Sequence, residues 1–365
     1  MYKKAIEILK IFSSNGFLAY IVGGYPRDTL LGITTNDIDI CTNARPKDIM
    51  RLFPNSNSSD TGYGSVSVTY KNETYDITTF RKDIKYEDNR RPIKIKYIND
   101  LKKDLLRRDF TINTICIDEF GTYLDPLNSK IDIENRIIKT VGNPKYRIKE
   151  DSLRILRAIR FATHLDFSIE DNTKDYIVKY SYLLKKLSIT RKKEELNKIF
   201  LNKNKEIGKS LILELGLDKQ LGLTNLKDIV MCDDIIGIWA QLDLSDEYPF
   251  TKLEKDSIKK IKEMLPLELN RYTIYKYGLY KSTVVGSIKG IKLEEINKIH
   301  KDLPIYNRKD IDVTAVEIAE HLKKKPGNYL QEIFEDIEKL IVENKLENNK
   351  EQILKYIGDK YGNIQ

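Results

Sequence analysis

The stretch YIVGGYPRDTLLGITTNDIDICTN runs from Tyr20 to Asn43. It opens as a short apolar run that ends in a double glycine, Gly23-Gly24. A basic–acidic pair, Arg27-Asp28, follows, then Leu30-Leu31 and a break at Gly32. After a polar turn comes Asp37-Ile38-Asp39-Ile40. The apolar run predicts a strand and the residues after the glycines predict a helix start. In a strand, residues i and i+2 face the same side, so Asp37 and Asp39 share one face while Ile38 and Ile40 point into a core. Two carboxylates on one rigid face suit a hard divalent cation, which takes oxygen ligands. Glycines lack the Cβ that keeps backbone away from phosphate oxygens. The N–H groups of a helix N-terminus favour the same anion. Each part has a use if the ligand is a nucleoside triphosphate.

An Asp-x-Asp pair by itself is commonplace on a solvated strand, and a Gly-Gly pair more so. The order and spacing carry the signal. The stretch resembles the first motif of the class II tRNA nucleotidyltransferase (CCA-adding enzyme) and bacterial poly(A) polymerase family, which reads GGxxRDxLLGxxxxDxDxxT. Gly23, Gly24, Arg27, Asp28, Leu30, Leu31, Gly32, Asp37, Asp39 and Thr42 match it without a gap. The resemblance implies a nucleotidyltransferase head with Mg²⁺ at Asp37 and Asp39, and a triphosphate held in part by Gly24 and Arg27.

The composition fits this frame. The chain has 365 residues, enough for two or three domains with a sizeable core. Its 63 Lys and Arg against 55 Asp and Glu leave a net charge of +8, which suits a polyanionic partner without identifying one. No run approaches the roughly 18 apolar residues of a membrane span, so no membrane association is expected. The opening MYKKAIEILKIFSSNGF reads as an amphipathic helix without a signal-peptide cleavage pattern. Cys41, Cys116 and Cys232 lie far apart in apolar contexts, as buried thiols of a reducing, cytoplasmic compartment would.

Beyond the first motif, Pro54–Asp60 reads as a polar loop, Gly64–Tyr70 as an alternating strand, and Asn72-Glu73 as a hairpin turn into a second strand, ETYDITTFR. Asp76 on that strand could be an ordinary exposed acid. A YDVTTFR-like strand in the family makes it the third catalytic carboxylate beside Asp37 and Asp39. Three acids on adjoining strands could hold two metal ions about 3.5–4 Å apart for in-line phosphoryl displacement. Residues 82–99 are charged and aromatic. A mobile segment reading YxDxRxP stands here in the family, matched by Tyr86, Asp88, Arg90 or Arg91, and Pro92. Members restricted to adding cytidines lack it, so its presence implies that adenosine is added too. DLLRRDFTINT, Asp104–Thr114, resembles the second motif, DLxRRDFTINA, with Thr114 in place of alanine. Arg107 and Arg108 are candidates for the triphosphate, because guanidinium forks match phosphate oxygens. Asp109 and Asn113 are expected to hold the turn.

YRIKEDSLRILRAIRF, Tyr146–Phe161, predicts one long helix. Asp151 and Arg154, at i and i+3, would meet on one face. Arg157 and Arg160 continue the spacing as a basic stripe, while Leu153, Leu156 and Ile159 enter the core. For an arbitrary helix such a pair is a surface salt bridge worth about 0–1 kcal/mol. Base chemistry gives a sharper reading. Cytosine and adenine each show an amino donor beside a ring acceptor, which a carboxylate and a guanidinium could read together. Uracil and guanine show the reverse and would leave buried groups unpaired, at roughly 1–3 kcal/mol each. The family's EDxxR motif is credited with this choice, and Glu150, Asp151 and Arg154 match it; RILRAIRF adds Arg157 and Arg160 as nucleotide contacts. SITRKKEEL, Ser188–Leu196, resembles the family's SxERIxxEL, with Thr190 for glutamate and Lys192 for isoleucine. It is expected to brace the Asp151 helix.

The fold class expected is α+β: a mixed-sheet head at 1–140, then a helical neck at 141–205, a helical body at 206–305 and a helical, tRNA-binding tail at 306–365. Predicted body helices include Ile229–Trp239 and Ile274–Tyr280. The tail's Pro326-Gly327 and Asn348 resemble the PGxxL…LxN ending of the CCA-adding branch. The resemblance implies CCA addition to tRNA from CTP and ATP. A poly(A) polymerase, a partial CC- or A-adding enzyme, and an inactive RNA-binding relative remain the alternatives.

Overall fold

The structure is a computed structural model and describes residues 1–60, 64–87 and 91–362. The chain divides into two compact units: residues 1–227 with 243–249, and residues 228–242 with the remainder from 250. The head–neck boundary expected near 140 lies inside the first unit, and the body–tail boundary near 305 inside the second. Among the described residues no helix is long and apolar enough to cross a membrane.

The first unit starts with α1 (Tyr2–Ser14), which buries Ala5, Ile8, Leu9 and Phe12. Seven strands follow in one mixed sheet: β1 (Ala19–Val22), β2 (Asp39–Thr42), β3 (Ser56–Asp60), β4 (Ser65–Tyr70), β5 (Glu73–Thr79), and, after a separate hairpin of β6 (Arg81–Glu87) and β7 (Arg91–Tyr97), β8 (Cys116–Ile117) and β9 (Tyr123–Leu124). The spatial order is β3-β4-β5-β2-β1-β8-β9. Only β2 and β5 run parallel; the other neighbours are antiparallel.

Strand alternation sorts the sheet's faces. Ile21, Ile38, Ile40, Tyr75 and Ile77 pack with α1 and with α3 (Pro46–Leu52). Val22, Cys41 and Cys116 form a second, smaller core on the opposite face with Phe80 and Leu105. Asp39 has the parity of Cys41, and Asp76 alternates with Tyr75 and Ile77. Both acids therefore lie on the face away from α1.

Three local expectations shift. The segment read as a polar loop contains β3, an edge strand whose Ser and Asn residues have little strand preference. Pairing with β4 holds it there, a tertiary override of propensity. The hairpin turn is Lys71-Asn72, both with positive φ (47° and 65°), one residue earlier than expected. The second strand ends at Thr79, and Arg81 begins the β6–β7 hairpin. Asp88 and Arg90 of the YxDxRxP segment lie outside the described residues.

Helices complete the unit: α2 (Gly24–Leu30) after β1, α4 (Leu101–Leu105), α5 (Lys130–Glu134), α6 (Pro144–Glu150), α7 (Leu153–Leu165), α8 (Asp171–Tyr180), α9 (Ile189–Phe200), α10 (Lys205–Glu214) and α11 (Asp218–Leu221), with a small parallel pair of β10 (Ile137–Ile138) and β11 (Ser168–Ile169). The predicted single helix over 146–161 is instead two. Asp151 is extended (φ −143°, ψ 104°) between α6 and α7. Its carboxylate accepts the Leu153 N–H at 3.1 Å, the local bond by which Asp competes with a continuing helix.

The second unit is helical: α12 (Ile235–Gln241), α13 (Lys252–Met264), α14 (Arg271–Tyr277), α15 (Leu279–Lys289), α16 (Leu293–Lys301), α17 (Ala315–His321), α18 (Tyr329–Val342) and α19 (Lys350–Tyr361). Its core runs from Ala240 through Ile274, Ile318 and Ile337 to Ile357. The helix expected over 229–239 starts only after Asp234, whose side chain caps it at 2.9 Å from the Gly237 N–H. The one expected over 274–280 is split by Gly278, φ 81°.

Candidate functional site

β1 is followed at once by Gly23, whose φ of 86° is open to glycine at little cost. A Cβ there would meet Asp39 Oδ2 at 3.3 Å, so the chain reversal into α2 passes directly over the first strand position of β2. Asp39 pairs in register with Asp76, while Asp37 precedes the strand and is exposed like its neighbour. The alternation expected of Asp37-Ile38-Asp39-Ile40 holds, with both isoleucines buried. Surrounding protein, then Asp37 and Asp76, push the Asp39 carboxyl up to about 6, while Arg108 and Arg157 pull the other way. This concentration of like charge, built from hard oxygen donors, fits a divalent cation. Among the described residues no three acids, cysteines or histidines converge into a closed metal cage; Asp37, Asp39 and Asp76 share a face rather than a preformed cluster.

Asp37 and Asp39 open onto a cleft of about 510 Å³ lined also by Gly23, Gly24, Arg27, Arg108, Asp109, Arg157, Arg160 and Phe161. A neighbouring cleft of about 290 Å³ is lined by Arg81, Arg107, Asp151, Arg154 and Arg191. Arg108, Asp109 and Arg157 line both, so the two adjoin.

The arginines differ in what they are free to do. Arg27 is 4% exposed. Its Nε donates to Asp28 Oδ1 at 2.8 Å and its NH1 to Asn113 Oδ1 at 2.6 Å. It was expected on the triphosphate; its guanidinium is already hydrogen-bonded within the protein, and it forms wall as much as hand. Arg108 leans on fully buried Asp104 at 3.4 Å. Its Nε is buried with no hydrogen-bond partner among the described residues, so it retains donor capacity. Arg157 Nε donates to Asp109 Oδ2 at 2.7 Å. Asp109 also accepts from Asn113 Nδ2 and the Phe110 N–H, which bears out its role in the turn. Burial would raise the Asp109 carboxyl; Arg157 and these hydrogen bonds outweigh it and hold it well below the usual range. Arg160 pairs with Glu195 on α9 at 3.0 Å.

Asp151 and Arg154 line the same cleft but do not pair with each other. The i, i+3 turn survives in the backbone, where the Arg154 N–H donates to the Asp151 carbonyl at 3.1 Å, but the guanidinium is held elsewhere. Arg154 donates to Glu150 Oε2 at 3.0 Å and to the carbonyls of Arg147 and Arg107 at 2.8 and 3.1 Å. Asp151 faces Arg191 of α9 at 3.7 Å, which accords with the bracing expected of that helix. Burial pushes the Asp151 carboxyl up, against the pull of Arg191. Arg191 NH1 is buried and unpartnered among the described residues. Glu150 thus fixes the guanidinium and α9 steadies the carboxylate, leaving two independently held groups rather than a closed salt bridge.

Phe161 was not singled out by its sequence, yet Arg27, Arg157 and Arg160 stack on its ring at 5.3, 5.3 and 4.6 Å. The signal was its place directly after Arg160 and four residues after Arg157, one turn on. His164, Lys198 and Asn202 also line the larger cleft without having been marked.

Residues 19–139 match the family of the Poly A polymerase head domain, 166–222 the Probable RNA and SrmB-binding site of polymerase A, and 250–357 the tRNA nucleotidyltransferase domain 2. The chain is 34% identical to the CCA-adding enzyme of Ligilactobacillus salivarius, over 97% of this chain and 95% of that one. It is 32% identical to that of Anoxybacillus flavithermus, over 96% of each. The crystal structure of the Bacillus stearothermophilus CCA-adding enzyme in complex with CTP superposes with a TM-score of 0.86 at 27% identity, covering 98% of this chain and 97% of that one. With full-length identity at this level and a head, a sheet and a cleft of this construction, the chain belongs to the family of CCA-adding nucleotidyltransferases.

Proposed function

We propose that the protein adds CCA to the 3′ end of tRNA without a nucleic-acid template, using CTP and then ATP and releasing pyrophosphate. The observation that carries this is a pair of adjoining clefts: Asp37 and Asp39 line one, Asp151 and Arg154 the other, and Arg108, Asp109 and Arg157 line both. A nucleotide spanning the two would have its base at the held pair and its α-phosphate at the acids.

Asp37 and Asp39 would hold Mg²⁺, with Asp76 beside them. When bound, the ion supplies Lewis-acid activation of the 3′-hydroxyl and neutralises charge on the departing pyrophosphate. The chain's own residues bind and orient. Gly24 permits close approach of the phosphates. Arg108 donates to them, and Arg157 and Arg160, stacked on Phe161, add positive charge. Asp151 accepts from the N4 amino group of cytosine or the N6 amino group of adenine, and Arg154 donates to the adjacent ring nitrogen. Uracil and guanine put a donor against a donor and an acceptor against an acceptor. We assign the head to 1–140, the neck carrying the reading pair to 141–205, and the body and tail to tRNA. An RNA partner is gripped by shape and backbone rather than sequence. Cys41, Cys116 and Cys232 are buried and unbridged, which suits the cytoplasm.

The test is extension of tRNA lacking its 3′ end, with Mg²⁺ and CTP, ATP or both, read at single-nucleotide resolution. CC from CTP, completed by one A with both, is the expected result. A stop at CC or a lone A on a CC end would make it a partial enzyme, long A tracts a poly(A) polymerase, and no extension an RNA-binding relative.

A further inference from the structure

We infer that a cleft in the helical second unit, formed by α14, α18 and residues 306–308, takes an unstacked nucleobase of the RNA partner. This rests on the reading above that the partner is RNA. It adds a base contact to a partner otherwise gripped by shape and backbone.

The cleft measures about 400 Å³ and carries three tyrosines, Tyr272 and Tyr275 from α14 and Tyr306 from the loop after α16. Its charged lining balances: Lys276 and Arg308 stand against Glu335 and Glu338. A charge-balanced cleft does not concentrate an anion as one lined by a single sign does, which argues against a phosphate. Four charged groups and three hydroxyls argue equally against a wholly apolar ligand, which would bury them without partners. Of the parts of an RNA, that leaves the base, which is flat, uncharged and edged with donors and acceptors.

Part of the lining is a closed network. Glu338 is 7% exposed. It accepts from Arg308 Nε at 2.7 Å and from its NH2 at 3.2 Å, and the Tyr275 hydroxyl also bonds to it. Arg308 lies over the Phe334 ring at 5.2 Å. Asn307 commits its amide to the Asp310 carboxylate at 3.0 Å. A network satisfied in this way is rigid before a ligand arrives. The rest of the lining keeps groups to offer. The Tyr272 hydroxyl and the Lys276 ammonium make no hydrogen bond to the described residues. Burial, then Glu338 and Glu335, push the Tyr272 hydroxyl up, so it stays protonated and can donate. Glu335 accepts the Gln331 Nε2 at 3.0 Å through Oε1 and keeps its other oxygen. Tyr306 is 53% exposed yet held in place. Its hydroxyl donates to the Lys301 carbonyl at 3.2 Å, and its ring packs 5.2 Å from that of His300. A ring already held and open to solvent loses little freedom when a base stacks on it.

The experiment titrates the full chain with three probes: tRNA lacking its 3′ end, a blunt RNA duplex of the acceptor-stem sequence, and free adenosine or cytidine. It compares the wild-type protein with Tyr306→Ala and Tyr306→Trp. Tyr306→Ala should weaken tRNA about 5- to 150-fold, the span for one base stacked on an aromatic side chain, and the duplex by less than about twofold. The slope of tRNA affinity against salt should not change, because no phosphate contact is lost. The KM for tRNA should rise while the KM for CTP stays, and the melting temperature should hold because the side chain is exposed. Tyr306→Trp should restore most of the loss. Both variants lose the bond to the Lys301 carbonyl, so this rescue separates stacking from that bond. Equal loss for tRNA and duplex, a shallower salt slope, unchanged tRNA binding in Tyr306→Ala, or no rescue by Tyr306→Trp would overturn the assignment. So would nucleoside binding that Tyr306→Ala abolishes while tRNA binding stands, which would give the cleft to a free nucleoside. If the wild-type protein neither binds nor extends tRNA, the functional reading itself fails; a wild type that extends tRNA with indifferent variants sinks only this cleft.

Discussion

Asp39 and Asp76 are Cα partners on the two strands of the sheet that run parallel. Parallel register puts their side chains abreast on one face, with Asp37 one alternation before Asp39. The apo protein gathers like charge here: burial first, then Asp37 and Asp76, push the Asp39 carboxyl up to about 6. Asp39→Ala should therefore abolish nucleotide incorporation while leaving tRNA affinity within about twofold, since affinity for a phosphate backbone comes from cationic side chains and Asp39 is an anion. The metal-free variant should also melt no lower than the wild type, because repulsion is removed. Gel-shift titration and a single-turnover assay separate the two effects, and surviving incorporation would show that the metal lies elsewhere.

Base choice depends on two groups held apart. Asp151→Ala should loosen selection against UTP and GTP by roughly 1–3 kcal/mol, or about 5- to 150-fold, with the Mg²⁺ dependence unchanged. Arg191→Ala, which touches only the carboxylate, should give a smaller loss of the same kind. Incorporation ratios for the four triphosphates on one tRNA would show it. An unchanged ratio in Asp151→Ala would remove that residue from the reading pair.

The acid face and the order of the motifs were legible because they rest on short-range rules: strand alternation and glycine freedom depend only on near neighbours. What was not legible depended on distant partners. β3 has no strand preference and exists because β4 offers an edge. The bond from Arg27 to Asn113 spans distant sequence, and only the fold brings the two together. The helix break at Asp151 was hidden because YRIKEDSLRILRAIRF has no proline or glycine inside it, and a side-chain bond to the Leu153 N–H is too local for periodicity to show. Phe161 and His164 carry no charge pattern, so their place in the cleft emerged only with the packing of α7 on α9.

Gly23 meets two requirements at once. Its φ of 86° disfavours any side chain, and a Cβ would press on Asp39 Oδ2 at 3.3 Å. Gly23→Ala should therefore lower incorporation at least tenfold by moving the acid, on top of roughly 1–3 kcal/mol of backbone strain, since φ 86°, ψ −129° lies outside the left-handed helical region. Gly142→Ala serves as the control: φ is again positive (72°), but nothing lies within 4 Å of the added Cβ. Equal activity losses in the two variants would mean that strain, not the acid's position, is responsible.

The Asp109–Arg157 pair ties the second motif to α7 and should govern acid stability. Its carboxyl is depressed when folded, so its contribution is fully present above the unfolded value near 3.9. It is lost as pH falls from there through the folded value. Asp109→Asn should cost roughly 1.5–3 kcal/mol at neutral pH, and the gap from wild type should close only below about pH 4. Urea unfolding across pH 3–7 reads this directly. A gap already closing at pH 6 would place the carboxyl's proton affinity well above its ordinary value, against the pairing.

Lys192 stands where the family's SxERIxxEL motif has isoleucine, and it is 2% exposed. Its ammonium reaches Asp246 Oδ2 at 3.2 Å, on the 243–249 segment of the same compact unit. A buried ion pair gains Coulomb energy but loses hydration, and replacing it with apolar packing is often neutral or stabilising, by about 1–4 kcal/mol. Removing only the acid strands a buried cation, at about 3–5 kcal/mol in a dry site. Asp246 is about one-third exposed, so water softens that figure. The two substitutions should therefore move stability in different directions. Lys192→Ile should leave the melting temperature unchanged or raise it, and Asp246→Ala should lower it by several degrees. Adding Lys192→Ile to Asp246→Ala should restore most of the loss, because the stranded charge is gone. If Lys192→Ile is instead the more damaging change, the pair is a net source of stability and the lysine is held there by its charge.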